Sequence, residues 1–343
     1  MLIKPQKLQK GDKIATVSLS WGGAGDKGLR WRYDQGIQRL KDIFGLEVIP
    51  MPNSLKGTEY IYENPEARAE DLMAAFQDKS IKAIFSNIGG DDSIRLLPYI
   101  DFDVIRNNPK IFIGYSDTTI NHLMCHKAGI SSFYGPAILT DFAENISMHP
   151  YTIEMVKRTL FSSQPIGEIL PASEWTSEFL PWEEANKDTK RKMNPNSSYE
   201  VVQGKGVVQG PLIGGCMEVL EFAKGTVIWP DLDTFDNSIL FLETSEEKPH
   251  PNLLRYWLRN YGAQGILERL NGIVFGKPMD EEYYVEYKEA ILTVLKEFDR
   301  EDLPVVYNLN FGHTEPKFIL PYGRLAEIDC DQARFSIVEN AVE

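Results

Sequence analysis

Short apolar runs alternate with helix-period segments along the first half of the chain. Residues 13–20 read KIATVSLS, residues 82–90 read KAIFSNIGG and residues 110–117 read KIFIGYSD, and each run ends in a turn. Residues 63–78 (ENPEARAEDLMAAFQD) instead place apolar side chains at a helical period after an Asn-Pro start. Strands that alternate with helices predict a parallel sheet covered on both faces, with ligands bound at the carboxyl ends of its strands.

The pattern changes after residue 165. Residues 166–206 are polar and charged, yet they contain two tryptophans, Trp175 and Trp182. A loop of this length in a compact protein is usually functional or disordered, and the aromatic residues favour function. From residue 207 apolar runs of strand length return, and the last stretch alternates as antiparallel strands do. We therefore predict an N-terminal α/β domain (1–165), a connecting loop (166–206) and a smaller β-rich domain (207–343).

Composition narrows the classes of function. A chain of 343 residues with 43% hydrophobic residues is long enough for two domains at roughly 150 residues each. The net charge of -14 argues against nucleic acid as the main partner, because phosphate binding needs a basic face. No signal-peptide pattern and no long apolar stretch are present, so no membrane span is expected. The three cysteines indicate neither a disulfide framework nor a metal site, and we expect a cytoplasmic protein.

Ser116 is a candidate nucleophile. It follows the apolar run IFIG directly and precedes a predicted helix, TTINHLMCHKAG. A tight strand-to-helix turn lifts a side chain out of the sheet, and the N-terminus of the helix points backbone N–H groups at it. The local pattern Gly-Tyr-Ser-Asp-Thr has the first glycine and the serine of the general Gly-x-Ser-x-Gly signature but lacks its second glycine. The alternative is a serine that caps the helix.

A glycine-rich turn follows the preceding predicted strand. Residues 87–92 read NIGGDD, and glycines allow backbone N–H groups to approach a bound group closely. The N–H of Gly90, paired with the N–H of Asp117, is a candidate oxyanion hole. Gly89 and Asp91 of the same turn are candidate substrate contacts. The alternative is an ordinary turn between a strand and a helix.

A serine nucleophile needs a base and a carboxylate that orients the base. Of the five histidines, His313 ends the apolar run VVYNLNFG, where it faces a cleft or merely caps a strand. His122 and His126 lie four residues apart on a predicted helix, but no third ligand stands at a suitable spacing for a metal. Glu243 closes the apolar strand SILFLE, where a carboxylate is costly unless solvated or paired, and a histidine is a suitable partner.

Together, these motifs resemble the LD-carboxypeptidase family of serine peptidases. The resemblance rests on GYSDTT, PLIGGCMEVLEFAKGT, LFLET, ARAEDLMAAF, NIGGDDS and the C-terminal Gly-His, which span nearly the whole chain in the right order. It implies an α/β fold with an N-terminal flavodoxin-like parallel-sheet domain and a smaller C-terminal swivelling β-rich α/β domain. It also implies a triad of Ser116, His313 and Glu243 between the domains, an oxyanion hole at Gly90 and Asp117, and no metal or organic cofactor.

Two branches of this family remain open for the substrate. One branch removes the terminal D-Ala from murein tetrapeptides in cell-wall recycling. The other is the microcin C self-immunity branch, which cleaves an amide joining an acyl group to a modified nucleotide. The ETSEEKP stretch after Glu243 and the EWT…W insertion resemble the second branch, which implies that Trp182 or Trp175 stacks on the nucleobase and Lys248 meets an anionic group. Cys216 stands where the family usually has Asn. If that Asn contacts the substrate, this chain is expected to differ from the family in the substrate that it selects.

The expected partner is therefore a small-molecule or peptide substrate, with no nucleic acid and no membrane. The resemblance is compatible with a homodimer, which the residues themselves do not indicate. Two rival hypotheses belong to other classes: a non-catalytic nucleotide or peptide binding protein that uses the same cleft, and a metal hydrolase built on His122 and His126.

Overall fold

The computed structural model describes residues 2–343, which contain two large β-sheets and flanking helices. The strands are β1 Lys13–Val17, β2 Glu47–Pro50, β3 Ile81–Ser86, β4 Ile111–Gly114, β5 Phe133–Tyr134, β6 Gly167–Glu168, β7 Glu174–Trp175, β8 Asn194–Pro195, β9 Glu200–Gln203, β10 Val207–Cys216, β11 Ile239–Glu243, β12 Gly272–Gly276, β13 Val305–Leu309, β14 Leu320–Pro321, β15 Leu325–Asp329 and β16 Arg334–Ile337. The α-helices are α1 Arg30–Phe44, α2 Thr58–Glu63, α3 Pro65–Gln77, α4 Phe102–Asn107, α5 Thr119–Ala128, α6 Pro150–Leu160, α7 Met217–Ala223, α8 Pro251–Ala263, α9 Ile266–Arg269 and α10 Tyr284–Glu297.

The first sheet has six strands in the order β14-β5-β4-β3-β1-β2. Strands β1 to β5 pair in parallel, and only the short β14 runs antiparallel at one edge. All four residues of β4 are buried. Because successive side chains of a strand point to opposite faces, β4 is covered on both sides. The predicted parallel α/β sheet is therefore confirmed.

The second sheet has eight strands in the order β6-β16-β15-β10-β11-β12-β13-β9. Its centre, β10 to β13, is parallel, whereas β15, β16, β9 and β6 pair antiparallel. The predicted β-rich second sheet is thus confirmed as a mixed sheet. No helix within residues 2–343 has both the length and the apolar character that crossing a bilayer requires.

Sheet membership crosses the predicted limits at residues 165 and 207. Strands β6 and β9 come from the stretch predicted as a loop, and both add to the second sheet. Strand β14 comes from the C-terminal part of the chain and adds to the first sheet by pairing with β5. Strand β14 therefore links the C-terminal part of the chain to the first sheet. Short polar strands such as β6 contain too few apolar residues to show the alternation from which a strand is predicted.

Candidate active site

Ser116 begins a short helical turn, Ser116–Thr118, directly after β4. Its φ of 63° lies in the left-handed region, which few residues other than glycine adopt. Such strain persists only where the surrounding structure imposes it, and it is concentrated at functional sites. The backbone here matches the sharp strand-to-helix turn that the sequence predicted.

Three side chains from three different strand ends form a hydrogen-bonded chain. The Oγ of Ser116 lies 3.1 Å from Nε2 of His313, and Nδ1 of His313 lies 2.7 Å from Oε2 of Glu243. Ser116 follows β4 of the first sheet, while Glu243 ends β11 and His313 follows β13 of the second. The structure thus brings together the three residues that the sequence nominated, at the junction of the two sheets.

Two glycines make room for this chain of contacts. A Cβ added at Gly89 would lie 2.9 Å from Cβ of Ser116, and a Cβ at Gly312 would lie 2.5 Å from Oε2 of Glu243. Gly312 also has a φ of +93°, which an L side chain rarely adopts. Any side chain at either position would displace Ser116 or the carboxylate of Glu243.

The turn after β3 presents a free backbone donor beside Ser116. Within residues 2–343 the N–H of Gly90 has no hydrogen-bond partner, and a Cβ at Gly90 would lie 2.3 Å from Oγ of Ser20. The carboxylate of Asp117 accepts a 2.8 Å hydrogen bond from the N–H of Ser93, which ties the two turns together. A Cβ at Gly89 would lie 3.1 Å from Oγ of Ser116 and 3.3 Å from the backbone N of Asp117, so the glycine turn packs directly against the turn that carries Ser116.

Tyr134, on β5, was missed by the sequence reasoning. Its hydroxyl accepts a 3.0 Å hydrogen bond from the N–H of Ser116 and donates a 2.5 Å hydrogen bond to Oε1 of Glu243. Burial and the Glu243 carboxylate raise the pKa of Tyr134 well above its ordinary value, so the hydroxyl keeps its proton. In the sequence Tyr134 is one aromatic residue of an apolar strand, and no local signal separates it from the core.

Glu246 is a second residue that the sequence reasoning did not single out. Its Oε2 lies 3.1 Å from Nε2 of His313, on the side of the ring opposite Glu243. Burial lowers the pKa of His313, but the two carboxylates outweigh it and raise that pKa to about 10. The hydrogen bond to His313 lowers the pKa of Glu246 to about 2. Glu243 and Glu246 thus both favour the protonated form of His313, while Nε2 of the ring is hydrogen-bonded to Ser116.

A cavity of about 590 Å³ opens over Ser116 and His313. The residues predicted from sequence that line it are Gly89, Gly90, Asp91, Ser116, Trp182 and His313. Trp21 and Phe179 add aromatic surface beside Trp182, with ring centroids 6.1 Å and 6.4 Å from it. The guanidinium of Arg32 lies 4.6 Å from the centroid of the Trp182 ring. The cavity is large enough for a ligand of nucleotide size.

Two predicted substrate contacts lie away from this cavity. Trp175 is buried in β7, and Nζ of Lys277 lies 4.5 Å from its ring centroid. Lys248 is ion-paired with Asp280. Neither Trp175 nor Lys248 lines the cavity. Of the two candidate tryptophans, the structure thus places Trp182 where a substrate would contact it.

His122, one of the two histidines on α5, has a structural role. Its Nδ1 lies 2.9 Å from Oγ of Ser132, and its Nε2 lies 2.9 Å from the carbonyl oxygen of Gly114. Both ring nitrogens are therefore engaged, which leaves none for a metal. Within residues 2–343 no group of three or more His, Cys, Asp or Glu side chains is arranged to hold a metal ion.

A buried charge network adjoins the cavity. Nζ of Lys317 is 3.3 Å from the carboxylate of Asp141 and 3.2 Å from Oε1 of Glu315. Arg191 bridges Glu315, at 3.1 Å, to Glu144. These residues come from the N-terminal half, the connecting stretch and the C-terminal half. The network therefore joins all three parts of the chain, and its residues Arg191 and Glu315 line the cavity.

Comparison with known proteins identifies the family. The LD-carboxypeptidase N-terminal domain matches residues 14–135, and the LD-carboxypeptidase C-terminal domain matches residues 209–328. The chain belongs to the LD-carboxypeptidase family. It is 30% identical over 310 residues to the microcin self-immunity protein MccF of Escherichia coli, with 90% of this chain and 88% of that protein covered.

Two further relatives have different descriptions. A Bacillus subtilis protein described as a probable murein peptide carboxypeptidase is 27% identical over 347 residues, which covers 99% of this chain and 95% of that protein. The crystal structure of an MccF-like protein from Streptococcus pneumoniae in complex with AMP is 39% identical, with a TM-score of 0.88 over 96% of this chain and 99% of that one. The predicted family and fold are confirmed, and the chain is a serine-type carboxypeptidase-like hydrolase.

Proposed function

We propose that this protein hydrolyses the amide bond that joins an aminoacyl or peptidyl group to a nucleotide of the microcin C type, and so detoxifies such compounds. Ser116 is the nucleophile, His313 the general base and Glu243 the carboxylate that orients the base. The observation that supports this most directly is the chain of hydrogen bonds from Oγ of Ser116 through the ring of His313 to Glu243.

The reaction proceeds through an acyl-enzyme. As Oγ of Ser116 attacks the scissile carbonyl carbon, its proton passes to Nε2 of His313, and the N–H groups of Gly90 and Asp117 stabilise the oxyanion. His313 then gives that proton to the leaving nitrogen as the carbon–nitrogen bond breaks. A water molecule, deprotonated by the same nitrogen, releases the acid and restores Ser116. Glu243 keeps the proton on Nδ1 and stabilises the imidazolium.

The nucleotide part of the substrate fits the aromatic side of the cavity. Trp21, Phe179 and Trp182 line it together with Arg32, and flat aromatic surfaces suit the face of a nucleobase. The MccF-like protein from Streptococcus pneumoniae has been crystallised with AMP. This likeness in fold, combined with the aromatic lining, favours a nucleotide substrate for the present chain.

A murein tetrapeptide that loses its terminal D-Ala is the second candidate, since the Bacillus subtilis relative covers nearly the whole chain. A hydrolysis assay on an aminoacyl-nucleotide and on the tetrapeptide, run side by side, separates the two. We expect cleavage of the aminoacyl-nucleotide with the higher kcat/KM. Faster release of D-Ala from the tetrapeptide would overturn the nucleotide assignment and leave the triad assignment standing.

Trp182→Ala should selectively weaken the binding of a nucleotide substrate. A stacked base contributes about 1–3 kcal/mol, so we expect KM for an aminoacyl-nucleotide to rise about tenfold or more. Hydrolysis of an acyl substrate with a small leaving group should change by less than about threefold. Trp182→Phe, which keeps an aromatic face, should retain most of the affinity. Equal losses on both substrates would contradict a role in base stacking.

Tyr134→Phe should slow the chemical step without weakening substrate binding. The variant removes the hydroxyl that donates to Glu243 and accepts from the N–H of Ser116. A hydrogen bond to a charged group contributes about 1.5–3 kcal/mol, so we expect kcat to fall about tenfold with KM unchanged. The Glu243 carboxylate then carries more of its charge toward His313, which shifts the acid limb of kcat/KM to higher pH. An unchanged pH profile would indicate a purely structural role.

A further inference from the structure

Two side chains with no role in the proposed mechanism meet at the glycine-rich turn after β3. Arg68 belongs to the motif ARAEDLMAAF on α3, and Asp92 belongs to the motif NIGGDDS. Nη1 of Arg68 lies 2.6 Å from Oδ1 of Asp92, and Nη2 lies 3.3 Å from Oδ2. A guanidinium that meets both oxygens of a carboxylate fixes their orientation as well as their distance. The side chain of Arg68 is 0% exposed, so it holds the turn from the interior of the protein.

The same guanidinium also binds the turn that follows β1. Nη1 of Arg68 donates to the carbonyl oxygens of Leu19 and Ser20, at 3.0 Å and 3.3 Å. The hydroxyl of Ser20 donates to Oδ1 of Asp92 at 3.2 Å and accepts a 3.1 Å hydrogen bond from the N–H of Asp92. Arg68 therefore ties the turn after β1 to the turn after β3.

A continuous path of hydrogen bonds and peptide groups runs from Arg68 to the N–H of Gly90. The carbonyl oxygen of Ser20 accepts from Arg68. The N–H of the same peptide group is that of Trp21, and it donates to the carbonyl oxygen of Gly89 at 3.1 Å. The N–H of Gly90 completes the peptide group of that carbonyl. Because a trans peptide group is planar, with its C=O and N–H on opposite sides, each fixed carbonyl sets the direction of the next N–H.

The surroundings of Gly90 show how closely the two turns pack. Gly90 has a φ of +145°, which an L side chain rarely adopts. A Cβ added there would lie 2.3 Å from Oγ of Ser20 and 3.0 Å from the backbone N of Trp21. With so little space between the turns, a shift of Ser20 or Trp21 moves Gly90 as well. The orientation of the N–H of Gly90 therefore depends on the group that holds the turn after β1.

The positive charge of Arg68 acts in the same direction as its geometry. Asp92 is shared with Arg95, whose Nη1 lies 2.9 Å from Oδ2, so one carboxylate faces two guanidinium groups. Hydrogen bonds in a chain polarise one another, most strongly where water is excluded. A cation at the first carbonyl of the path therefore makes the last N–H, that of Gly90, a stronger donor.

We propose that Arg68 is a positioning residue of the oxyanion hole, which orients the N–H of Gly90 through the two intervening peptide groups. This inference rests on the proposed function and adds a residue to its mechanism. Arg68 is fully buried and does not line the cavity, so it acts on the substrate only through the turn. The carbonyl oxygen of the substrate gains its charge as Ser116 attacks. Arg68 therefore stabilises the transition state and contributes little to the binding of the substrate.

Arg68→Lys tests the proposal with the positive charge retained. A lysine ammonium lacks the planar fork that meets both oxygens of Asp92 while it also holds two carbonyl oxygens. Removal of one oxyanion-hole donor lowers kcat about 10²–10³-fold, so a misdirected donor should lower kcat by at least about tenfold. KM for aspartyl sulfamoyl adenosine should stay within about threefold, because little charge has developed before the attack. A folded Arg68→Lys variant with an unchanged kcat would overturn the proposal.

A fluorophosphonate probe measures the oxyanion hole without the nucleotide. Oγ of Ser116 bonds to phosphorus as fluoride leaves, the hydroxyl proton passes to His313, and the phosphoryl oxygen takes the place of the oxyanion. The rate of labelling should fall in Arg68→Lys by a factor similar to that in kcat. The pH dependence of labelling should stay unchanged, because Arg68 contacts neither His313 nor Glu243. A shifted pH profile would show that the triad itself is displaced and would overturn the assignment of Arg68 to the oxyanion hole.

Ser20→Ala is a second variant, which decides the question if Arg68→Lys does not fold. It removes the hydroxyl that contacts Asp92 and keeps every peptide group of the path. We expect kcat and the rate of labelling to fall about three- to tenfold, as for the loss of one hydrogen bond. In the double variant the loss should be smaller than the product of the two single losses, because both side chains act through one path. Unchanged rates in Ser20→Ala, or losses that multiply, would overturn the proposal.

Lys82→Met is the matched control, since Lys82 is an exposed cation on β3, the strand that leads into the glycine turn. Its kcat, KM and rate of labelling should stay within about twofold of those of the unmodified protein. Circular dichroism and urea denaturation show which variants are folded. If the unmodified protein neither reacted with the probe nor hydrolysed either candidate substrate, the proposed function itself would be wrong. Normal activity of the unmodified protein with no effect of Arg68→Lys would overturn the role of Arg68 alone.

Discussion

Ser116→Ala is expected to abolish hydrolysis while leaving the fold intact. Removal of the nucleophile of a serine triad lowers kcat by about 10⁶-fold in the best-studied case, and we expect a loss of at least about 10⁴-fold here. The side chain makes one hydrogen bond through Oγ, to His313, so the free energy of unfolding should change by less than about 1 kcal/mol. A single-turnover assay with either candidate substrate, together with circular dichroism, measures both quantities.

The matched control for this experiment is Ser80→Ala, at an exposed position outside the cavity. It should hydrolyse substrate at the rate of the unmodified protein. The fluorophosphonate probe should label the unmodified protein and Ser80→Ala, but not Ser116→Ala. If purified Ser116→Ala turned over substrate as fast as the unmodified protein, the mechanism proposed above would be wrong.

Lys317→Met is expected to cause the largest loss of stability among the changes considered. Lys317 is fully buried, and its ammonium lies between the carboxylates of Asp141 and Glu315 and over the ring of Tyr115. Removal of one partner of a buried ion pair leaves an uncompensated charge, which costs about 3–5 kcal/mol. We expect urea denaturation to show a loss of this size, with activity lost in parallel because Tyr115 packs on His313.

Lys296→Met, at an exposed position of α10, is the control and should change the free energy of unfolding by less than about 0.5 kcal/mol. Adding Glu315→Gln to Lys317→Met should recover part of the loss, since it removes a carboxylate that has lost its cation. A loss below about 1 kcal/mol for Lys317→Met would contradict the view that the network stabilises the junction of the two sheets.

The same network predicts how stability depends on pH. Burial raises the pKa of Glu315, but Lys317 and Arg191 outweigh it and hold that pKa below its ordinary value of 4.5. A carboxylate whose pKa is depressed by folding contributes stability that is present above the unfolded value and lost as pH falls through the folded value. The contribution of Glu315 is therefore complete at neutral pH and disappears in acid.

Much of the site could be predicted from sequence because its key residues stand at the ends of apolar strands. Ser116 after β4, Glu243 at the end of β11 and His313 after β13 each interrupt a run of buried side chains, which is a local signal. The order of strands and helices in the first half likewise follows from local periodicity. The family motifs also indicated which distant segments meet at the site, and no local pattern contains that information.

The strand and helix order of the first half and the turn that exposes Ser116 could be read from local patterns, and the family motifs added His313 and Glu243 as its partners. Three features emerge only from the packed fold: Tyr134 bridges Ser116 and Glu243, Trp182 rather than Trp175 lines the cavity, and the carboxylate of Glu246 lies beside the ring of His313. The physical reason is distance along the chain. Periodicity reports which face of an element is buried, whereas a hydrogen bond between residues separated by 109 positions, as for Tyr134 and Glu243, exists only once the two sheets have packed together.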